Sequence, residues 1–352
     1  MKQILLLGGT GWLGQTLARQ GLERGHQVTA LARGTGPFVL GVRAVVADRE
    51  SPGAYEKVAD TAWDLVIELT DRPRFAREAV GFLGEAAGNW VFVSSCSVYA
   101  LQSEPEADET ATTLEPLPDA DDGEDADFGR AKSACEEASM RYRDGKALVI
   151  RPGLIGGPGD PSGRSTYWPL RFAERRDPVL VPKVPEGEAP VQIIDVRDLA
   201  AFILEAGLAG EHGYVNAVGE VHSLGQALDL AREAAAAVAA SNGTPEPSRQ
   251  LVGYEVSRMA EDQVNPWAGP TSLPLLLPQE DGYAGFARRS DARALQLGLR
   301  RRSLRQMFED IVSTGEGLEV DSLCSGLTAA EEQLLVGRRG TSHGQMSPGV
   351  GV

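Results

Sequence analysis

Residues 4–14 read ILLLGGTGWLG, an apolar run stopped by paired glycines. Gly8, Gly11 and Gly14 stand three apart between a short strand and a helix. Glycine there permits a tight turn and lets the backbone approach a pyrophosphate. The helix N-terminus adds free N–H groups and a positive dipole end. Gly8, Thr10, Gly11, Trp12, Leu13 and Gly14 are therefore candidate cofactor contacts. Such a turn is weak evidence alone. Its place on the first strand, ahead of five more, gives it weight.

The strands expected after Ile4–Leu7 are Val28–Ala32, Val42–Ala47, Leu65–Leu69, Trp90–Val93 and Ala147–Ile150. Helices are expected over 12–24, 74–87 (closed by Gly88) and 129–143. Short apolar strands alternating with helices indicate a parallel sheet covered on both faces. The fold class is α/β, a doubly wound parallel sheet of the Rossmann type with a smaller C-terminal substrate region. The dinucleotide-binding core spans 1–155, with an acidic insertion at 104–127. Residues 156–315 form the substrate region, some of whose elements return to the core. Residues 316–352 form a partly disordered tail, where Thr328-x-x-Glu331 suggests a capping box. Helical periodicity is expected across 288–312.

A net charge of -16 argues against a polyanion partner. Three scattered cysteines and four scattered histidines suggest neither a disulfide framework nor a metal site. No signal peptide is visible and no apolar run approaches ~20 residues. The expectation is a cytoplasmic protein with a small-molecule substrate, no nucleic acid, no membrane and no metal, and with a homodimer as the candidate assembly.

The end of the second strand should select the cofactor. An acid there would bind the ribose 2′-hydroxyl of NAD, but the chain reads TALARGTG. Arg33 stands where a guanidinium attracts a 2′-phosphate, so NADP(H) is favoured over NAD(H). Asp48 follows the third strand and is a candidate acceptor for the adenine amino group; a helix-capping role fits it almost as well.

With these pieces in place, the chain resembles the extended or atypical short-chain dehydrogenase/reductase superfamily, the NAD-dependent epimerase/dehydratase group. The resemblance rests on GGTGWLG, WVFVSSCSVYA, FGRAKSACEEA, VIRPGLIGGPGD and VQIIDVRDLAAFIL, in that order. It implies an oxidoreductase or epimerase that transfers hydride at a carbonyl or hydroxyl carbon. It also implies a Ser, a Tyr and a Lys at the site. The serine falls on Ser95, the lysine on Lys132 and the tyrosine on Phe128. Lys132 would also bind the nicotinamide ribose, and Pro152 and Gly153 would lie beside the nicotinamide. Many relatives carry an Asn-Ala-x-Gly turn after the fourth strand; this chain has ELTD there, where backbone contact to the cofactor, at Leu69, remains possible. A weaker resemblance to chloroplast stem-loop-binding proteins would imply RNA, which the charge disfavours.

Tyr142 and Lys146 repeat the tyrosine–lysine spacing further along, but Asp144-Gly145 breaks the helix between them. Lys146 also directly precedes a strand, at the end opposite the cofactor edge. Phe128 has the ring without a proton. Tyr99, Tyr167, Asp127 or water could supply one. Alternatively the chain is a non-catalytic NAD(P)-binding regulator or sensor, or Phe128 is a deliberate replacement that traps substrate. Residues 104–127 hold eleven acids and no Lys or Arg. Such a run is normally solvated and mobile, and could form a lid. Arg164, Arg171, Arg175 and Arg176 could pair with it or bind an anionic substrate. Tyr99, Arg164, Tyr167 and Trp168 are the candidate substrate residues.

Overall fold

The computed structural model describes all residues except 119–126, 186–188, 245–249, 279–281, 316 and 343–352. The expected disorder of the final residues falls in that last segment. Two compact units are present. The first comprises 1–155, 192–221 and 282–302; the second comprises 156–191, 222–281 and 303–352.

The first unit is built on β1 (Gln3–Leu7), β2 (Gln27–Ala32), β3 (Arg43–Val46), β4 (Trp63–Glu68), β5 (Ala87–Val93) and β6 (Leu148–Pro152). A seventh strand, Gly213–Ala217, completes the sheet beside β6. From that edge the order runs β6, β5, β4, β1, β2, β3, with every pairing parallel. Ile4, Leu5, Leu6 and Leu7 are all fully buried, as a strand covered on both faces requires. The helices are α1 (Trp12–Glu23), α2 (Glu56–Ala59), α3 (Pro73–Leu83) and α4 (Phe128–Met140), with Val196–Ala209 packed on α1.

Several sequence expectations need correction. The third helix stops at Leu83, and Ala87 already begins β5. Gly88 does not cap a helix. It lies beside β4, where an added Cβ would stand 3.1 Å from the Asp64 carbonyl oxygen. The strand at 213–217 has no counterpart in the sequence reading. The stretch 288–312 is two helices, Ala292–Gln296 and Leu304–Thr314. Gly298 at φ +92° separates them, and the Ser303 side chain caps the second. These helices belong to different units.

The described part of the acidic insertion is fastened to the first unit. Tyr99 bridges Thr113, Leu114 N donates to Val98 O (2.7 Å), and Leu117 N donates to Arg130 O (3.2 Å). Glu106 N donates to Arg288 O (2.6 Å). Backbone pairing therefore outweighs the charge repulsion that suggested a mobile segment. Residues 119–126 of the insertion lie outside the described residues.

In the second unit, helix Leu224–Ser241 packs on Leu304–Thr314 and on Tyr167–Ala173. The C-terminal helix Ala329–Ser342 opens on the capping box: Thr328 N donates to Glu331 Oε2 (2.7 Å) and Glu331 N to Thr328 Oγ1 (3.3 Å).

Candidate functional site

The glycine turn leads into α1 with Gly11 as an N-cap that offers no side-chain bond. Gly8 adopts φ +97°, a conformation that glycine accepts without a steric penalty. A Cβ on Gly14 would lie 2.6 Å from the Gly8 carbonyl oxygen, so the helix start sits directly against the turn. In front of this turn opens a cavity of about 770 Å³. Gly8, Thr10, Gly11, Arg33, Asp48, Leu69 and Phe128 line it, all candidates from sequence. A bare glycine backbone and a helix start facing such a volume fit a dinucleotide. Trp12, Leu13 and Gly14 sit in the first turn of α1 without lining the cavity. Pro152 ends β6, and Gly153 packs toward Val218, also outside the lining.

The cavity wall also contains Arg49, Glu50, Thr70, Asp71, Arg72 and Phe75, which sequence reasoning did not assign. Arg49 grips the fully buried Glu68 through two bonds, Nη1 to Oε1 (2.9 Å) and Nη2 to Oε2 (2.6 Å). Glu68 also accepts from Thr70 N (3.0 Å). This pair shapes the turn after β4, where the sequence departs from the Asn-Ala-x-Gly pattern. Charged residues closing two apolar strands that are consecutive in the sequence, at VVADRE and IELTD, were the signal for it. Arg33 is exposed and forms no ion pair among the described residues. Asp48 caps its own turn by accepting from Glu50 N (3.0 Å).

Phe128 begins α4, whose N-cap Asp127 accepts from Arg130 N (3.0 Å). Lys132, one turn on, is 6% exposed. Its ammonium donates to Thr70 O (2.8 Å) and Val93 O (2.9 Å), bridging the ends of β4 and β5. It lies 5.0 Å from the Phe92 ring centroid and 5.8 Å from that of Phe128. Burial lowers its pKa below the ordinary lysine value, with Cys135 and Asp71 opposing. Ser95 caps the short 3₁₀ turn Cys96–Val98 by accepting from Ser97 N (3.1 Å), and its hydroxyl donates to Ser97 Oγ (3.1 Å).

Tyr142 stands apart from this group. It is buried, its hydroxyl donates to Ala87 O (2.7 Å) at the start of β5, and Lys146 is exposed. Asp144 and Gly145 take φ of 55° and 89°, which ends the helix before Lys146.

A buried polar chain runs behind Ser95. Ser94 Oγ donates to Glu136 Oε1 (2.5 Å), and Arg151 binds Glu136 through Nε (2.9 Å) and Nη2 (2.7 Å). Arg151 Nη1 also donates to the Tyr99 hydroxyl (3.1 Å), which donates to Asn216 Oδ1 (2.6 Å). Tyr99 is thus committed to an internal network and not open to a substrate as expected. Burial raises its pKa to about 12. An arginine inside the apolar run ALVIRPG was the sequence signal for this chain.

The second unit holds the other substrate candidates. Tyr167 and Trp168 are fully buried, packed edge to face at 4.9 Å, with Trp168 Nε1 donating to Pro274 O (2.7 Å). Their packing corrects the expectation that they face a ligand. Arg171 and Arg176 bind Glu332 (2.6 and 2.8 Å) in their own unit, which corrects their expected pairing with the insertion. Arg175 is exposed. Arg164 Nε donates to Ser162 Oγ (3.0 Å), and its guanidinium lies over the Trp267 ring at 5.2 Å. Among the described residues no group of three or more metal-ligating side chains occurs, and no helix is long and apolar enough to cross a membrane.

The strand order, glycine cradle and cavity define a dinucleotide-binding α/β domain. The family model for the NAD-dependent epimerase/dehydratase family matches residues 4–219, and the chain belongs to that family. It is 28% identical over 295 residues to a 2-alkyl-3-oxoalkanoate reductase of Stenotrophomonas maltophilia (strain K279a), covering 75% of this chain and 77% of that protein. Its fold is similar to UDP-N-acetylglucosamine 4-epimerase from Bacillus cereus, with TM-score 0.62 and 15% identity over 91% of this chain and 98% of that one. It is also similar to the Bordetella bronchiseptica enzyme WbmH, solved in complex with NAD+, with TM-score 0.58 and 16% identity over 90% and 99%.

Proposed function

We propose that this protein is a nicotinamide-dependent carbonyl reductase or epimerase that binds NADP(H) in preference to NAD(H). The observation that carries this reading is the Lys132 ammonium, buried and held by two carbonyls directly behind the Phe128 ring that lines the cavity. When bound, the cofactor supplies or accepts a hydride. Lys132 fixes the ends of β4 and β5 and adds positive charge where a carbonyl oxygen gains negative charge. Ser95 offers a hydroxyl from the adjoining loop. Phe128 contributes an apolar face and no proton.

Burial pushes the hydroxyl pKa of both Tyr99 and Tyr167 upward and their rings are enclosed, so neither suits proton delivery. Water is the proton source we assign. Arg33, exposed at the β2 end with no acid beside it on that strand, supports the choice of NADP(H). The reductase among the relatives makes 3-oxo acids the first substrate class to examine. The missing hydroxyl at 128 favours one second reading, a non-catalytic NAD(P)-binding sensor. Steady-state NADPH consumption against a panel of 3-oxo acids and simple ketones tests the proposal. Binding of NADPH without consumption on any member would leave the sensor reading.

A further inference from the structure

Three arginines among the described residues are buried: Arg151, Arg171 and Arg289. Arg151 is neutralised by Glu136 and Arg171 by Glu332. Arg289, 2% exposed, has no ion pair among the described residues. Its Nη2 donates to Leu101 O (2.9 Å) and to Gln102 Oε1, while Nε and Nη1 are buried without partners. A buried charge lacking a counter-ion is costly, because it gives up hydration for nothing equivalent. A buried polar group without partners calls for an explanation, and completion by a ligand is one.

The group is also held in place. Gln192 clamps its backbone, accepting from Arg289 N (3.0 Å) and donating to Arg289 O (2.9 Å). The guanidinium stacks on the Tyr99 ring at 4.4 Å. Tyr99 is four residues past Ser95, on the loop leaving β5, and Lys132 bonds to Val93 at the end of that strand. Arg289, from a distant part of the chain, therefore packs against Tyr99, Leu101 and Gln102, which follow the candidate Ser95. Leu101, whose carbonyl it holds, is 54% exposed. Glu104, the carboxylate whose field reaches it, is exposed and unpaired with it.

We infer that Arg289 is a substrate-anchoring residue that binds a single oxyanion headgroup, a carboxylate or a phosphate monoester. The substrate would place its reactive carbon toward Ser95 and its anionic end on Nε and Nη1 of Arg289. This inference rests on the reductase reading for its purpose, but not for its test.

The test is calorimetric titration with octanoate, methyl octanoate and octyl phosphate, each with and without saturating NADPH. Octanoate or octyl phosphate should bind at least about tenfold more tightly than the methyl ester, as a charged hydrogen-bonding headgroup predicts. Whichever of the two binds more tightly identifies the headgroup. Arg289→Gln should erase the preference, and Arg289→Lys, which keeps the charge, should retain part of it. Equal affinity of the wild type for acid, phosphate and ester overturns the proposal, and this comparison needs no variant to fold. So does an unchanged preference in Arg289→Gln. NADPH binding and turnover are measured separately, so failure of the reductase reading shows there and leaves the headgroup comparison intact.

Discussion

Lys132 Nζ lies 5.8 Å from the centroid of the Phe128 ring, one helical turn away. The ammonium is tied to two strand-end carbonyls, while the ring faces the cavity. On the reductase reading proposed above, this pair keeps the electrostatic half of a proton-transfer site and lacks the proton itself. Phe128→Tyr should therefore raise kcat for carbonyl reduction by about 10²–10⁴, the usual contribution of a positioned acid–base group. NADPH affinity should change little. Stopped-flow and steady-state assays on one substrate decide this; equal turnover by both forms would show that Phe128 is not the limiting position.

Arg33 borders the cavity and forms no ion pair among the described residues. Arg33→Ala should weaken NADPH about tenfold or more and leave NADH nearly unchanged, because only NADPH carries the phosphate a guanidinium binds. Fluorescence titration of both cofactors reads the difference, and parallel losses would remove the basis for NADP(H) preference.

Gly14→Ala should damage cofactor binding and stability together. The added methyl would meet the Gly8 oxygen at 2.6 Å and the Gly9 backbone at 2.9 Å. Overpacking of this kind costs about 1–3 kcal/mol. Urea unfolding beside NADPH titration would show both losses in one variant.

Glu136→Gln leaves the Arg151 guanidinium buried without its charge partner. Removing one member of a buried pair costs about 3–5 kcal/mol. A fall of that size in urea-derived stability is expected; a change under ~1 kcal/mol would mean that Tyr99 and solvent compensate the charge.

Alkaline pH should destabilise the fold in a defined window. Burial pushes the Cys96 thiol, ordinarily 9.0, and the Tyr99 hydroxyl, ordinarily 10.0, up to about 12. Between pH 9 and about 12 the unfolded chain releases these protons while the folded chain keeps them. The unfolded state then binds fewer protons, so stability falls as pH rises. Their contribution is fully present below pH 9. Unfolding free energies measured from pH 8 to 11 should decline, less steeply in Cys96→Ala. At pH 8 only the exposed Cys324 should react quickly with a thiol reagent, since Cys96 and Cys135 are buried.

The sheet was legible from local signals. Runs such as ILLL and WVFV lie on strands buried on both faces, and such strands are written as continuous apolar residues. The glycine turn and the start of α4 are local too, fixed by backbone sterics and by the Asp127 cap. The separation of Tyr142 from Lys146 is local as well, since Asp144 and Gly145 take φ of 55° and 89° and end the helix between them.

The strand at 213–217 was missed because GYVNA is short and mixed, and it becomes a strand only beside β6. The insertion carries charges that predict solvation, yet its described backbone finds partners at Val98, Arg130 and Arg288. Arg49 and Glu68, Glu136 and Arg151, and Arg289, which has no ion pair among the described residues, show the same limit. A sequence displays a charge but not its partner. Composition and spacing determined the fold class and the glycine turn. Only the tertiary structure decided which charges were neutralised, because burial and pairing depend on residues brought together from distant parts of the chain.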